Sequence, residues 1–464
     1  MTTATTEPTT HRRRWHVLAV VLLGGVMDLF DSTVMNVAAP SVRAEVGGSE
    51  STLQWLAAGY TLAFGVLLVV GGRLGDRWGR RRLFVVGAAG FTLASAACAV
   101  APSPSVLIAA RVAQGALGAL MIPQGFGVLT TVFGERERGR AFSLFGPVMG
   151  LAGIGGPILA GGLIGLDLGG LGWRLIFLVN LPLGVLTVLG ALRWMPADRG
   201  DPAVRIDPVG VALVTAGSAC LVYPLIQGRE AGWPWWTFAV LAVGVAAFVL
   251  LGRRQRVSPS PILVASLLRK RAFVGGLVVA VVFFTGLGGL LLVLSLHLQL
   301  GLGHSALGAA VALAPVAAGI MLGSPAAPRL TRKLGRSVLH LGLGVEIVGL
   351  LGITACAVLS APQLWSALPL LVVGTGLGLL FSPLIQAILA AADPHEVGSA
   401  SGSLNAVQQL ATALGVAVAG TVYFGLGGPG HIGGLVAGVL VATAACLIAA
   451  ALVPLMPRST AVAR

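Results

Sequence analysis

The chain has 464 residues, 56% of them hydrophobic and only 10% charged, at a mean hydropathy of +0.93; soluble domains carry about 25% charged residues, so a soluble fold is excluded. The formal charge of +14 would admit nucleic acid as a partner, but the arginines lie in short loops between apolar segments and form no continuous stripe, so none is expected. Apolar stretches of about 20 residues recur along the whole length, which fits one membrane domain of many helices.

The first apolar stretch follows Arg12, Arg13 and Arg14, as in a signal peptide, yet it contains Asp28 and Asp31 and lacks an ordinary h-region. It is read as a retained first transmembrane helix. Hydropathy places helices near 15–38, 54–72, 83–101, 105–128, 141–165 and 174–194. A polar linker, 196–208, precedes two more near 209–226 and 236–252, and a basic linker runs from Arg253 to Arg271. Six further helices follow near 272–299, 306–327, 338–359, 366–391, 403–424 and 433–456. The expected organisation is a cytoplasmic N-terminal segment 1–14, a six-helix bundle 15–195, linkers with two inserted helices 196–271, a second six-helix bundle 272–456 and a cytoplasmic tail 457–464.

Cytoplasmic loops retain positive charge, and an N-terminus placed inside leaves only Arg43, Arg174 and Arg229 in external loops and Arg111 within a helix. Both termini are then cytoplasmic, and Trp233, Trp235, Trp236 and Trp365 fall at the outer interface, where aromatic belts form. The halves repeat. Gly72, Leu74, Gly79 and Arg80 align with Pro328, Leu330, Gly335 and Arg336 at an offset of 256, and Gly139, Gly156 and Gly161 return as Gly398, Gly415 and Gly420 at 259. Cys98, Cys220, Cys356 and Cys446 lie far apart inside apolar segments and are read as packing residues.

The loop between helices two and three reads Gly72-x-Leu74-x-Asp76-Arg77-x-Gly79-Arg80. Its glycines permit a tight turn, and Asp76 can serve the N-terminal end of helix three or pair with a neighbouring arginine. This pattern resembles the cytoplasmic-loop signature of the major facilitator superfamily. Arg111, Gln114 and Gly115 resemble its RxxQG element, and Gly150, Gly155, Gly156, Pro157, Gly161 and Gly162 its antiporter glycine-proline motif. Asp31-Ser-Thr33-Val-Met-Asn36-Val-Ala-Ala-Pro40, Trp173 to Pro182, Gln299, Gly303, Ser305, Pro315 and Gly398 to Gln409 are similar to the fourteen-helix drug:proton antiporter branch. The resemblance implies an all-α integral membrane fold, two six-helix bundles with two extra inserted helices, working by alternating access. In the second loop copy Arg332 stands where Asp76 stands in the first, a departure from the motif.

Ionisable residues inside the membrane are costly, about 2.5–3.5 kcal/mol even on the lenient insertion scale, and need a reason. Asp31 lies roughly 24 Å into helix one, in its outer half, with Asp28 three residues earlier on nearly the same face. Two close carboxylates do not both ionise easily, so a proton shared between them is expected. Arg111 lies at similar depth and competes with that proton; the alternative is a permanent Asp31–Arg111 ion pair. The resemblance associates this Asp and Arg with proton coupling and supplies no acid at 28. Glu346 sits near the midplane of helix eleven as a candidate for a substrate cation or a second proton, or else pairs with a polar neighbour; His297 is read as an interfacial histidine. Asn405 and Gln409, by family match, and then Gln124, Gln408, Phe177 and Tyr60 are candidates to line a substrate cavity. Pro157 and the helix-five glycines permit bending and close sliding of the bundles.

No Walker loop, HExxH, GxSxG or soluble nucleotide-binding domain is present, and the loop histidines His304, His395 and His431 are scattered, so no cofactor or metal is expected and an ion gradient supplies the energy. The expected function is efflux of small hydrophobic or amphipathic organic compounds, antibiotics among them, against proton entry, by a monomer in the lipid bilayer of a bacterial cytoplasmic membrane. Two alternatives are export of an endogenous metabolite on the same fold and a polytopic enzyme acting on lipid-linked substrates. Family members handling divalent organic cations are expected to carry an acid in helix ten; the stretch 306–327 has none. Neutral, zwitterionic or monocationic substrates are therefore expected, with Glu346 favouring monocations.

Overall fold

The computed structural model describes residues 13–456 apart from 135–136, 138–139, 142–143, 259–260, 263–264 and 394–395. Residues 1–12, Gly139, His395 and the tail 457–464 lie outside the described residues. In a bilayer every backbone polar group must be satisfied within the protein, and this chain meets that demand with helices alone among the described residues. Thirteen are long and apolar enough to cross a membrane, and Phe145–Leu166 supplies the fourteenth.

They are α1 Arg14–Val46, α2 Glu50–Trp78, α3 Arg80–Ala99, α4 Pro104–Val132, α5 Phe145–Leu166, α6 Gly172–Trp194 and, as the inserted pair, α7 Pro208–Glu230 and α8 Trp235–Val257. The second set is α9 Arg271–Leu296, α10 Ala306–Gly323, α11 Ser337–Val358, α12 Ala367–Leu389, α13 Val397–Gly425 and α14 Ile432–Leu452. Helix α1 runs past its expected end because Pro40 falls inside it without stopping it. A short helix not read from hydropathy, Ala327–Leu334, carries the basic loop before α11. The repeated motif glycines have a shared cause: Gly79 (φ 94°) and Gly335 (φ 55°) both turn the chain through a region closed to most side chains.

Internal pairing is the same in both sets. Helices α2 and α3 pack on α4, α1 packs on α5 and α6, and α3 on α6; correspondingly α10 and α11 pack on α12, α9 on α13 and α14, and α11 on α14. The two sets meet reciprocally, α2 against α13 and α5 against α10, as expected of a pseudo-twofold repeat.

That seam is tight at its outer end. A Cβ on Gly161 would lie 2.6 Å from Leu307 Cα, one on Gly420 2.1 Å from Gln54 Nε2, and Ser295 Oγ donates to the Asn36 carbonyl at 2.5 Å. At the cytoplasmic end, the described ion pairs stay within one set. Arg14 Nε meets Glu137 Oε2 at 2.7 Å and Lys270 Nζ meets Glu396 Oε2 at 2.9 Å, each joining the start of a set's first helix to the approach to its fifth. Asp198 accepts from the Arg80 and Arg81 amides at 2.6 and 3.1 Å, serving the start of α3, and so ties the polar linker to the motif loop.

The inserted hairpin lies across the α2/α13 seam. Glu230 at the end of α7 accepts from Ser51 N at 2.8 Å and from the Ser49 and Ser51 hydroxyls, both at 3.1 Å, while Arg229 pairs with Glu50. On the other side the Arg229 guanidinium lies 5.4 Å from the Phe424 ring centre and Thr421 donates to the Leu225 carbonyl. At the inner end Arg254 holds Asp207 at 2.7 Å, and Asp207 caps α7 through Gly210 N at 3.1 Å.

The Ser266 hydroxyl, and after it the Lys270 ammonium, hold Glu396 down at about 2 from its ordinary 4.5. A depressed carboxylate stabilises the fold above its ordinary value and ceases to do so as pH falls through the folded one. The melting-temperature gap between wild type and Glu396→Gln should therefore be constant above pH about 4.5 and shrink as pH drops toward about 2. A gap that closes between pH 7 and 5 would contradict this.

Candidate functional site

The acids of α1 sit on different faces of the helix. Gly25, Asp28, Leu29, Ser32 and Asn36 form a partly open stripe, whereas Met27, Phe30, Asp31, Val34 and Met35 are buried. Asp31 and Arg111 are both 0% exposed and form an ion pair through Asp31 Oδ2 and Arg111 Nη1. The other carboxylate oxygen of Asp31 accepts from Gln114 Nε2 at 2.8 Å and from Asn180 Nδ2 at 3.1 Å. Both amides also donate to Ser95 Oγ, at 2.6 and 3.2 Å, and Arg111 Nη1 donates to Gln114 Oε1 at 2.8 Å. Four helices, α1, α3, α4 and α6, thus converge on one carboxylate. A buried charge persists only when paired and hydrogen-bonded, and the Asp31 carboxylate meets that condition at both oxygens, while Arg111 Nε and Asn180 Oδ1 are left without a partner.

Tyr60 on α2 joins the two acids. Its hydroxyl donates to Asp28 Oδ1, and its ring lies beneath the Arg111 guanidinium, 4.4 Å from the ring centre. Phe177 approaches the same guanidinium at 5.8 Å and packs edge-on against Trp173. Gly115 is what lets α4 approach: a Cβ there would fall 2.2 Å from the Tyr60 carbonyl oxygen. The sequence singled out Asp28, Asp31, Arg111, Gln114 and Gly115 for coupling and conformational motifs, and the fold brings them together. Ser95 was missed because a lone serine in an apolar helix gives no signal.

Several cavity candidates sit elsewhere than expected. Tyr60 and Phe177 are fully buried in the ion-pair network. Gln124 is buried between α4 and α2, donating to the Gly71 carbonyl at 2.6 Å. Glu346 is 2% exposed within the second set, where Gly376 of α12 leaves room for its backbone and Cβ and Cys446 of α14 is its polar neighbour. The helices packed on it, α12 and α14, carry no charged residue, and one buried oxygen, Oε2, has no partner. Its expected place in the substrate cavity is thus replaced by a site among α11, α12 and α14. Asn405 and Gln409 are partly exposed on α13, with Gln409 Cβ 3.0 Å from where a Cβ on Gly65 of α2 would lie. Gln299 donates to Ser295 Oγ at 3.0 Å beside the outer seam.

In the motif loop, Asp76 Oδ1 pairs with Arg80 Nη2 at 2.8 Å, Arg80 Nη1 donates to the Gly127 carbonyl at 2.8 Å and Arg77 Nη1 to the Val204 carbonyl at 3.2 Å. A Cβ on Gly72 would lie 4.0 Å from Pro123 Cβ. Exposed i,i+4 pairs contribute about 0.3–0.5 kcal/mol, too little to matter for folding. Asp76→Asn should leave the melting temperature nearly unchanged and slow transport several-fold if the loop engages the opposite set during the cycle. Wild-type turnover in a well-expressed Asp76→Asn protein would leave the loop a purely topogenic role.

Of the helix-five glycines, Gly161 meets backbone across the seam and Gly156 meets Thr33 Oγ1, while Gly155 and Gly162 face open space. Pro157 lies between them within α5.

The family model for the Major Facilitator Superfamily matches residues 21–416. The chain belongs to this superfamily. It is 48% identical over 429 residues to a protein named as a probable actinorhodin transporter of Streptomyces coelicolor, covering 90% of this chain and 74% of that one. Identity is 37% to a puromycin resistance protein of Streptomyces alboniger, covering 89% and 82% of the two chains, and 34% to a cephamycin export protein of Amycolatopsis lactamdurans, covering 93% and 91%. Among solved structures, an autoinhibited POT family peptide transporter superposes with a TM-score of 0.69 at 16% identity, covering 97% and 98%, and the xylose transporter XylE from E. coli with 0.63 at 16%, covering 97% and 98%. These structures share the fold. The chain is a multi-pass protein of the bacterial cytoplasmic membrane.

Proposed function

We propose that this chain exports antibiotics or related small amphipathic compounds from the cytoplasm, driven by proton entry, and that it works as a monomer. The observation that carries the reading is the buried Asp31–Arg111 pair linked through Tyr60 to the partly open Asp28. An intramembrane acid and base held together at such cost mark a proton or substrate pathway rather than a scaffold. The names of the relatives supply the substrate class: three carry export, transport or resistance to an antibiotic in their names. We read the work as translocation rather than covalent chemistry because the acids sit inside helices of the membrane domain.

In the proposed cycle, residues 15–195 and 272–456 rock against each other about the seam. The conformation with a tight outer end receives substrate from the cytoplasm. Opening there requires the Gly161–Leu307 and Ser295–Asn36 contacts to part, while the inserted hairpin stays with α2, to which it is bonded more heavily than to α13. The semi-exposed amides Asn405 and Gln409 are proposed to meet substrate.

The test uses purified protein in sealed vesicles with actinorhodin and puromycin as probes. A pH gradient should drive uptake into inverted vesicles, and a protonophore should collapse it. Transport of either probe that is indifferent to every ion gradient would refute the proton drive; movement of neither would refute the substrate class.

A further inference from the structure

The family motif points to Asp31 as the acid that handles protons, but the geometry points to its neighbour. We propose that Asp28 is the carboxylate that takes up and releases the exchanged proton, while Asp31 stays ionised against Arg111 as a positioning residue. This rests on the proton-driven reading above and assigns its site.

Asp31 has no room for a proton. One oxygen is paired with Arg111, the other accepts two amide donors at 2.8 and 3.1 Å, and the side chain is fully buried. Protonating it would break the ion pair, strand a guanidinium in an apolar interior and turn two good hydrogen bonds into poor ones. The Gln114 amide is held at both ends, its Nε2 also by Ser95 Oγ at 2.6 Å and its Oε1 by Arg111 Nη1 at 2.8 Å, so it cannot simply turn away. Such a carboxylate is built to remain charged.

Asp28 is built differently. It lies on the partly open stripe of α1, and among the described residues its contact is the Tyr60 hydroxyl at Oδ1. Among the described residues no cation touches it. The titratable and charged groups facing it are Tyr60 from α2, Asp31 on its own helix and Arg111 from α4, the last stacked on the Tyr60 ring. Helices α5 and α13, which complete the seam around α1 and α2, carry no charged side chain in 145–166 or 397–425. Gly118 of α4 lies beside it, where an added Cβ would stand in ordinary contact, 3.4 Å from Oδ1. A proton from water adds to the carboxylate to form an O–H bond, and nothing else in the protein need break; release returns it to water.

Tyr60 makes this proton consequential. Ionised Asp28 accepts the Tyr60 O–H, whereas protonated Asp28 becomes a donor and no longer holds that hydroxyl in the same way. The ring that would shift is the one lying under Arg111, and its backbone is clamped by Gly115. One proton at the open face is thereby felt by the buried pair and by the α2–α4 contact. The fixed charges of Asp31 and Arg111 set where Tyr60 sits and so where Asp28 titrates.

The test takes the proton itself as ligand. The full chain in lipid nanodiscs is titrated by infrared difference spectroscopy, following the carbonyl band of protonated carboxylic acids. All variants are made in a Glu346→Gln background, so that the buried carboxyl of Glu346 gives no band; with Asp28 intact or changed to Glu a titrating band should appear, and Asp28→Asn should lose it. Asp31→Asn/Arg111→Gln, which removes both buried charges together so that the fold is not left with an orphan, should keep the band at a shifted midpoint. A band that survives Asp28→Asn and disappears in the double variant would overturn the assignment, as would no titrating band in wild type. Gradient-driven uptake of actinorhodin by wild-type vesicles is measured alongside. If the band behaves as expected and no gradient moves either probe, the export reading fails and the proton site stands; if uptake is gradient-driven and the band follows Asp31, the reverse holds.

Discussion

Arg111→Ala should abolish gradient-driven export and lower the stability of the protein by about 3–5 kcal/mol, the usual cost of removing one partner of a buried ion pair. The loss has three sources in the structure. Asp31 keeps its burial and loses its counter-charge. Gln114 loses the charged donor to its Oε1, which arrives at 2.8 Å, and keeps there only the Cys98 thiol at 3.8 Å. Tyr60 loses the cation stacked 4.4 Å above its ring, about 0.5–2 kcal/mol when desolvated. The check is a double-mutant cycle on thermal unfolding with Asp31→Asn. Because the uncompensated carboxylate causes most of the damage, the double variant should be more stable than Arg111→Ala alone, a coupling of the sign expected for groups in one network. If Arg111→Ala melts with wild type, or if the two substitutions add, the pair is not a buried mutually dependent unit. Export should not return in the double variant, since restoring neutrality does not restore the position of Tyr60.

Much of this protein was legible because the bilayer permits so little. Apolar runs gave the helix number and arginine placement gave the orientation, both consequences of the solvent rather than of particular contacts. The meeting of Asp31 with Arg111 was legible too, from equal depth and the expense of each charge. What sequence cannot carry is facing. Asp28 and Asp31 are three residues apart and read as one face, yet a small rotation about α1 leaves one partly open and the other sealed. Tyr60 and Phe177 read as candidates for a cavity, and in the structure they enclose a guanidinium. Glu346 stands midway along α11, and α11 turns it toward α12 and α14. The hairpin's bonds to both sides of the α2/α13 seam were invisible as well, since a charged helix end such as Arg229-Glu230 reads only as an interfacial anchor.

Facing also decides which of the many glycines matter, and here the structure separates two neighbours. Gly161→Val should force the outer α5/α10 seam apart and drive the protein toward the outward-open conformation, whereas Gly162→Val should do nothing. A Cβ at 161 would lie 2.6 Å from Leu307 Cα and 2.7 Å from its nitrogen, backbone at the start of α10 that has no rotamer with which to yield. Ile164, Val37, Ala306 and Ala310 pack around the same point, so the strain cannot be absorbed by an empty neighbour. Overpacking of a close-packed contact costs about 1–3 kcal/mol. This contact exists only while the outer seam is closed, so the cost falls on one conformation and shifts the equilibrium by roughly 5–150-fold. The shift is read as a longer distance between spin labels at positions 166 and 302, both exposed at the outer end, in a protein whose Cys98, Cys220, Cys356 and Cys446 have been replaced. Gly162, with nothing within 4 Å of its added Cβ, is the internal control for helix propensity and lipid contact. Equal distances in wild type and Gly161→Val would mean that the α5/α10 contact survives in both conformations and is a hinge, not a gate. Equal lengthening in both variants would assign the effect to α5 itself. The stated outcome, with export slowed in Gly161→Val because the tight outer state is no longer readily reached, would identify the glycine repeated at 420 as the matching contact on the α2/α13 side, where Gln54 can fold away. Gly420→Val should then be the milder of the two.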